Sequence, residues 1–486
     1  MKAAIIGGGI GGMMGALFLS RQGIDVTIYE KENRLGGRLS FIEREGFRID
    51  EGPTIVLLPE MLQQMLDEAG ICRHDYELIT CDPLYSIHYR DGLTYTKYPD
   101  LNRQMEEIQR VFPNETEGFQ LFIKEGKVRF EIGKQAFLEQ EFSNPRAFWT
   151  RNNVKKLLKL KPYQSVQKLM SFYFQDERLQ AAYSLQTLYI GGDPFHAPAM
   201  YSLVPFSEHE HGVFYLKGGY ASLVKVLERE LERRGISIIL NSNVARITKT
   251  GQRVTGLETS EGEQHYDAVI FNGDFPHLTN ILQQPAKRSF VPSSGCVLLY
   301  FGLNRVYKEA NVHQFLMGGN FAGHMKDVFE RKQVPADPAI YAFHPSLIDD
   351  SLAPAGKGVL YTLIPVPSDT SIDWKNQRDW IDQIIRRLER DAFPGLREAI
   401  EWMEIRSPED AETFGLFKGG SFGIAPSLFQ SGVFRPQVKP YPLENLYAVG
   451  ASIHPGGGIP IVMQGARLMA EQLLQDRIGK GVNVHA

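Results

Sequence analysis

Ala3-Ala4-Ile5-Ile6-Gly7-Gly8-Gly9-Ile10-Gly11-Gly12 opens this 486-residue chain and decides its fold. The apolar run reads as a short strand. It breaks into a turn with the pattern G-x-G-x-x-G on Gly7, Gly9 and Gly12. A helix follows, stopped at Gly23, and a second apolar run, Val26-Thr27-Ile28-Tyr29, ends on Glu30. Strand, glycine turn, helix, strand and terminal acid together make a dinucleotide-holding unit. Gly7 permits the tight turn, Gly9 lets backbone approach a pyrophosphate, and Gly12 lets helix pack closely on strand. The helix N-terminus at Ile10 and Gly11 offers N–H groups and partial positive charge to phosphates. Glu30 is spaced to accept hydrogen bonds from ribose hydroxyls.

No charge lies between Ala3 and Ser20, a length close to the roughly 18 apolar residues of a membrane span. Six glycines within it, and the strand completing the nucleotide unit after it, argue against an anchor or secretory signal. The chain is long enough for two or three domains. Its hydrophobic content of 43%, charged content of 23% and net charge of -4 describe an ordinary protein without a global basic footprint for nucleic acid. Cys72, Cys81 and Cys296 form no C-x-x-C pair, so no disulfide framework and no zinc ribbon is expected.

After Glu30 comes Lys31-Glu32-Asn33-Arg34-Leu35-Gly36-Gly37-Arg38. The glycine doublet permits a second close backbone approach, and Arg38 is a forked donor able to reach phosphate. Phe47 to Asp50 reads as a strand running into Glu51-Gly52-Pro53-Thr54. Near the far end, Asn445 to Ser452 reads as a strand entering a turn at Gly450-Ala451. Ile453-His454-Pro455-Gly456-Gly457-Gly458-Ile459-Pro460 follows and leads into a helix through Met463, Ala466, Met469 and Leu473. Its bare glycine amides and a proline in the first turn make a second helix N-terminus built to face a ligand.

The stretch from Gly7 to Arg38 resembles the N-terminal signature of FAD-containing amine oxidases, protoporphyrinogen oxidases and phytoene desaturases. Asp50-x-Gly52-Pro53-Thr54 and the segment from Gly450 to Pro460 resemble the bacterial carotenoid desaturases. So do Gln186 to Gly191, Asp337 to Tyr341, Gly420 to Gly423 and Arg435-Pro436-Gln437, which resemble the C30 branch of that family, the diapophytoene desaturases. The resemblance runs nearly end to end. It implies a Rossmann-type FAD-binding domain like that of the amine and protoporphyrinogen oxidases. An α+β substrate domain and a helical membrane-facing region would complete the α/β fold. The FAD domain is expected to be discontinuous, from residues 1–80, 211–280 and 416–486, with residues 81–210 and 281–415 forming the substrate and membrane-associating region.

The implied cofactor is FAD, bound non-covalently and without metal. Candidate contacts are Gly7, Gly9, Ile10, Gly11, Gly12, Glu30, Lys31, Gly37, Arg38, Pro53 and Thr54, then Gly450, Ala451, Gly457, Gly458, Ile459 and Pro460. Val244 is expected by the adenine. Asp274 either contacts ligand or caps the helix after Pro276. The implied reaction is desaturation of a C30 carotenoid precursor by hydride transfer to flavin N5. The alternatives are oxidation of the terminal methyl groups of a C30 carotene to aldehydes, or an amine or protoporphyrinogen oxidase. Proximity, dryness and tolerance of cationic charge matter more here than a nucleophile. His454 is the one candidate proton acceptor, its other reading being structural. Tyr189, Phe195, Tyr201, Phe214 and Tyr215 are candidate tunnel aromatics.

From Phe142 to Gln175 there is no acid, while Arg146, Arg151, Lys155, Lys156, Lys159, Lys161 and Lys168 alternate with Phe148, Trp149, Leu157, Leu158 and Leu160. Such a band suits the headgroup boundary of an anionic bilayer, or a solvated helix pair with its lysine stems over a core. A long hydrocarbon substrate dissolved in lipid favours the first, with a peripherally attached cytoplasmic enzyme, no nucleic-acid partner and the oligomeric state left open. Ser207-Glu208-His209-Glu210-His211 reads as an exposed polar turn; His209 and His211 as metal ligands are the weaker reading.

Overall fold

The computed structural model describes residues 1–142, 148–286 and 288–482. Arg146 of the basic band lies outside the described residues. A five-stranded sheet is centred on Lys2–Ile6, flanked on one side by Asp25–Tyr29 and Ser237–Ile239 and on the other by Ala268–Phe271 and Leu446–Ala448. All its pairings are parallel, with Ile5 opposite both Ile28 and Ile270. Helices cover such a sheet, so its strands are apolar on both faces; Ala3, Ala4, Ile5 and Ala268 to Ile270 are fully buried. The helix Ile10–Ser20 packs under the C-terminal helix Ile459–Val482. Gly15 allows it: a Cβ there would sit 3.0 Å from the Met469 methyl.

The stretch from Gly262 to Phe271 forms two strands. Gly262–His265 is mostly exposed and joins an antiparallel three-stranded sheet with Arg246–Thr250 and Arg253–Thr259, while the wholly buried Ala268–Phe271 enters the parallel sheet. Polarity separates them: Glu263 and Gln264 stay at the surface, and the run Ala268-Val269-Ile270-Phe271 does not.

A seven-stranded mixed sheet has the order Ile400–Arg406, Gly295–Leu303, Gly358–Val366, Ile340–Phe343, His313–Leu316, Tyr85–His88, Thr94–Lys97. Thus segments before residue 100 and after residue 294 share one sheet. One face is covered by the helix Arg378–Asp391, which buries Trp380, Ile381, Ile384, Ile385 and Leu388. Just before that helix, Asp373 caps a one-turn segment, accepting from the Asn376 amide at 3.3 Å. The opposite face presents aromatic rings, Tyr300, Phe315, Tyr341 and Tyr361, to a large cavity.

Ser207 to His211 is not an exposed turn. It is the second half of the helix Leu203–His211, with Glu208 fully buried and His209 nearly so. Glu208 tolerates burial because it has partners inside: Lys97 Nζ at 2.7 Å and Tyr85 Oη at 2.6 Å. The basic band forms the helices Arg151–Lys159 and Val166–Tyr173. The first buries none of its side chains, and no helix among the described residues is long and apolar enough to cross a membrane.

Candidate active site

Two helix N-termini open into one cavity of about 1050 Å³. Gly9, Ile10 and Gly11 line it at the first helix, and Gly457, Gly458, Ile459 and Pro460 at the second. First-turn amides have no partner inside their own helix, so both ends present donors and positive dipole to whatever fills the space. Neither helix carries an acid in its first turn to neutralise that field. The volume slightly exceeds the usual ~300–1,000 Å³ range of small-molecule sites.

The cradle is shaped by close contact. Gly7 holds φ +102°, and a Cβ on it would lie 2.9 Å from the Asn272 carbonyl oxygen. Asn272 at the tip of the neighbouring strand also donates from Nδ2 to the carbonyls of Gly7 at 2.9 Å and Gly9 at 3.3 Å, fixing the turn. Gly12 does not reach the cavity wall; a Cβ on it would overlap the Gly7 carbonyl oxygen. Its role is the helix–strand approach.

Glu30 is buried at the strand tip and lines the cavity. Oε2 accepts from the Gly8 amide at 2.6 Å and Oε1 from the Glu32 amide at 2.9 Å, leaving further lone pairs on each oxygen. Lys31, Gly37, Arg38, Pro53, Thr54, Val244, Asp274, Gly450, Ala451 and His454 line the same space. Sequence positions 7 to 460 therefore converge on one wall. Arg38 donates to the Ser421 carbonyl at 2.9 Å. Surrounding protein lowers its pKa, and Asp274 pushes back.

Asp274 does not cap the helix that follows it, as expected for one of its two readings; its side chain makes no capping bond there. Instead Oδ2 accepts from the Phe417 amide at 2.9 Å and Oδ1 from Ser452 Oγ at 2.5 Å. The carboxylate ties two distant turns to the cavity rim, a stronger use of its charge than one cap.

His454 is buried, and its Nε2 donates to the Gln140 carbonyl at 2.9 Å. Nδ1 has no protein partner. Burial holds the ring down to about 4, so it is neutral at pH 7. Arg435 is a residue the sequence reading gave no role: its Nη1 holds the Gln430 carbonyl at 3.0 Å, while its buried Nε is unpartnered beside Gly456. Motif spacing offers no signal for Asn272, which acts across 265 residues of chain. Burial pushes the Cys296 thiol in the cavity wall up to about 12, so it is no nucleophile.

Beyond the glycine loops the cavity wall is apolar and aromatic: Ile55, Leu57, Phe130, Phe137, Leu185, Leu188, Phe315 and Met317. Of the expected tunnel aromatics, Tyr189 and Tyr201 line it. Phe195, Phe214 and Tyr215 do not: Phe195 packs on Phe321, Phe214 sits in a strand with Tyr215, and Tyr215 donates to Asp349 at 2.7 Å. No metal cluster lines this cavity among the described residues; the one group of metal-type ligands, Cys72, His74 and Asp75, is elsewhere.

The chain matches the flavin containing amine oxidoreductase family over residues 10–474. It is 56% identical to the 4,4'-diapolycopen-4-al dehydrogenase of Metabacillus indicus, over 99% of this chain and 98% of that one. It is 32% identical to the 4,4'-diapophytoene desaturase (4,4'-diaponeurosporene-forming) of Staphylococcus haemolyticus (strain JCSC1435), over 98% and 99%. Among solved structures, putrescine oxidase bound to putrescine superposes with a TM-score of 0.67 over 98% of this chain and 99% of that one, at 14% identity, a likeness of fold.

Proposed function

The chain belongs to the flavin containing amine oxidoreductases, among the bacterial carotenoid desaturases, and is an FAD-dependent oxidoreductase; from that premise we propose that it oxidises the aldehyde end of a C30 carotenoid. The observation that carries this reading is the 56% full-length identity to a diapolycopen-4-al dehydrogenase, against 32% to a diapophytoene desaturase. The apolar, aromatic wall of the cavity supports a long hydrocarbon as its occupant.

FAD fits the residues present. The Gly7–Gly12 turn would take the pyrophosphate, Glu30 the adenosine ribose, Val244 the adenine side, and Arg38 with the Gly36-Gly37 doublet the phosphate flank. The glycine loop and helix start from Gly450 to Pro460 would face the flavin ring. When bound, the cofactor supplies a two-electron acceptor that takes hydride at N5.

The balance is simple. A hydrate formed from aldehyde and water would reach the carboxylic acid by giving up a hydride and a proton, and FAD held by these residues would supply the two-electron acceptor. The aliphatic and aromatic wall would hold the apolar chain and keep bulk water from the end group. A second reading, desaturation of the C30 chain, is favoured by the full-length match to the desaturase and needs no water. Both readings are tested by anaerobic mixing of the FAD-loaded protein, in liposomes, with a C30 carotenal or with 4,4'-diapophytoene. Flavin bleaching with carboxylate formation supports terminal oxidation; bleaching only with diapophytoene, with new visible polyene bands, replaces it with desaturation.

The same proposal includes peripheral membrane attachment. Trp149 is 52% exposed, Tyr163 63% and Phe429 68%, beside Lys155, Lys156, Lys159 and Lys161. Trp149 and Phe434 lie 6.3 Å apart and Phe434 and Phe429 5.7 Å, joining the band to the 428–434 loop as one greasy, basic face. Phe137 and Gly432 belong both to that region's packing and to the cavity wall, which supports entry of substrate from the bilayer there.

A further inference from the structure

Arg435 is a buried cation whose hydrogen bonds leave its charge uncancelled. The residue is 5% exposed and belongs to the cavity wall. Nη1 donates to the Gln430 carbonyl at 3.0 Å and Nη2 to the Ala451 carbonyl at 2.5 Å, both of them neutral acceptors. Its Nε has no partner, and a Cβ on Gly456 would lie 3.8 Å from that nitrogen. The guanidinium therefore sits directly behind the glycine loop, gripping it at residue 451. Its backbone neighbour is tied there too, the Pro436 carbonyl accepting from the His454 amide at 2.7 Å.

One carboxylate answers it from across the loop. Asp274 accepts from the hydroxyl of Ser452 at 2.5 Å, so opposite charges hold adjacent residues, 451 and 452, of one cavity-lining turn. The two charges feel each other through space: burial lowers the Arg435 pKa and Asp274 raises it. Taking an arginine out of water is costly, and a carboxylate at a distance repays only part of that cost. The helix start beyond the loop adds positive dipole and carries no acid in its first turn. The field at this end of the cavity is net positive.

We propose that Arg435 is the fixed cation that raises the reduction potential of the bound flavin, with Asp274 as the opposing charge that sets how far. Hydride carries two electrons and one proton, so the ring gains one negative charge on accepting it. A nearby cation stabilises that reduced, anionic form more than the neutral oxidised one. No contact is needed, because a charge in a water-poor wall acts over several ångströms. Arg435 thus tunes the cofactor without touching substrate. The proposal rests on the reading that the Gly450–Pro460 loop faces the flavin ring, and it holds for either reaction, since both deliver hydride.

The test is the midpoint potential of the FAD-loaded protein, titrated anaerobically against a reference dye, beside the Kd of the apoprotein for FAD. Arg435→Gln is expected to lower the potential by about 30 mV or more, a tenfold change in a two-electron equilibrium. Arg435→Lys, which keeps the charge, is expected to restore most of it, and Asp274→Asn to move the potential upward. Opposite signs in the Gln and Asn variants are what a merely structural role does not produce. Where Arg435→Gln fails to hold FAD, Asp274→Asn decides: an upward shift supports the proposal, and no shift or a downward one overturns it. An unchanged potential with unchanged FAD affinity in Arg435→Gln overturns the proposal alone. An unchanged potential with weaker FAD binding assigns the cation to the pyrophosphate and overturns the placement of the loop at the flavin ring as well.

Discussion

Asn272 Nδ2 bonds the carbonyl of Gly7 at 2.9 Å across 265 residues of chain, locking the first glycine of the turn to the strand beside it. The Asn272 backbone carbonyl meanwhile fills the place a Gly7 side chain would take. One residue thus holds the cradle and forces its glycine.

Gly12→Ala puts a methyl group against the Gly7 carbonyl oxygen, 2.8 Å from Asn272 Nδ2. Overpacking of this kind costs about 1–3 kcal/mol and displaces the turn. The purified variant is expected to have a lower Tm and to retain less FAD, measured by the flavin absorbance ratio. Asn272→Ala removes two bonds and is expected to have the same sign. Full flavin content in both would refute the cradle assignment.

Removing one partner of the Lys97–Glu208 pair strands a buried charge. Glu208→Ala is expected to cost about 3–5 kcal/mol, whereas the double replacement by Met and Leu costs much less. Burial pulls the Lys97 pKa down and contact with Glu208 holds it partly up, the pattern of a pair that depends on its partner. Urea unfolding midpoints of the single and double variants measure the difference; equal midpoints would contradict it.

Burial holds His324, His344 and His454 down to about 4 and His313 to about 3, from an ordinary 6.5. A depressed folded-state pKa means the unfolded chain binds more protons between about 4 and 6.5, so stability is complete above 6.5 and falls as pH drops through that window. Each group contributes up to about 1.4 kcal/mol per pH unit there. Asp50, raised to about 7 by burial, has the opposite sign and offsets one of them. Denaturation at pH 7 and pH 5 is expected to show a net loss at pH 5. His454→Gln should make that loss smaller; an unchanged slope would place the ring outside the folded core.

Trp149→Ser with Phe429→Ser is expected to weaken sedimentation with anionic vesicles while leaving FAD content intact. Charge reversal at Lys155 and Lys159 is expected to weaken it in a salt-dependent way, by roughly 1 kcal/mol per lysine. Unchanged vesicle binding in both variants would remove this face as the docking surface.

The nucleotide unit was legible because its parts are local. Strand, turn, helix and acid lie within thirty residues, and each has one physical use, so spacing alone identified Gly7, Gly9, Gly12 and Glu30. The second glycine loop at Gly456 to Gly458 was legible for the same reason. The charged run Ser207 to His211 was misread because a sequence shows polarity but not partners. Glu208 is an exposed-type residue until Lys97, 111 positions earlier, is placed against it. Asp274 was misread as a possible cap because its partners, Phe417 and Ser452, are equally remote.

By itself, the sequence determined the parallel dinucleotide unit, the two glycine-rich helix starts, and a basic greasy band with no acid in it. Each follows from residues within one or two elements of each other, where backbone geometry fixes the neighbours. Only the tertiary structure decided that the two helix starts share one cavity, that this cavity continues into an apolar hall, and that Lys97 and Glu208 meet as a buried ion pair. Those are meetings between segments far apart in the chain. Their free energy comes from burial and from pairing of desolvated groups, which exists only once the sheets have packed.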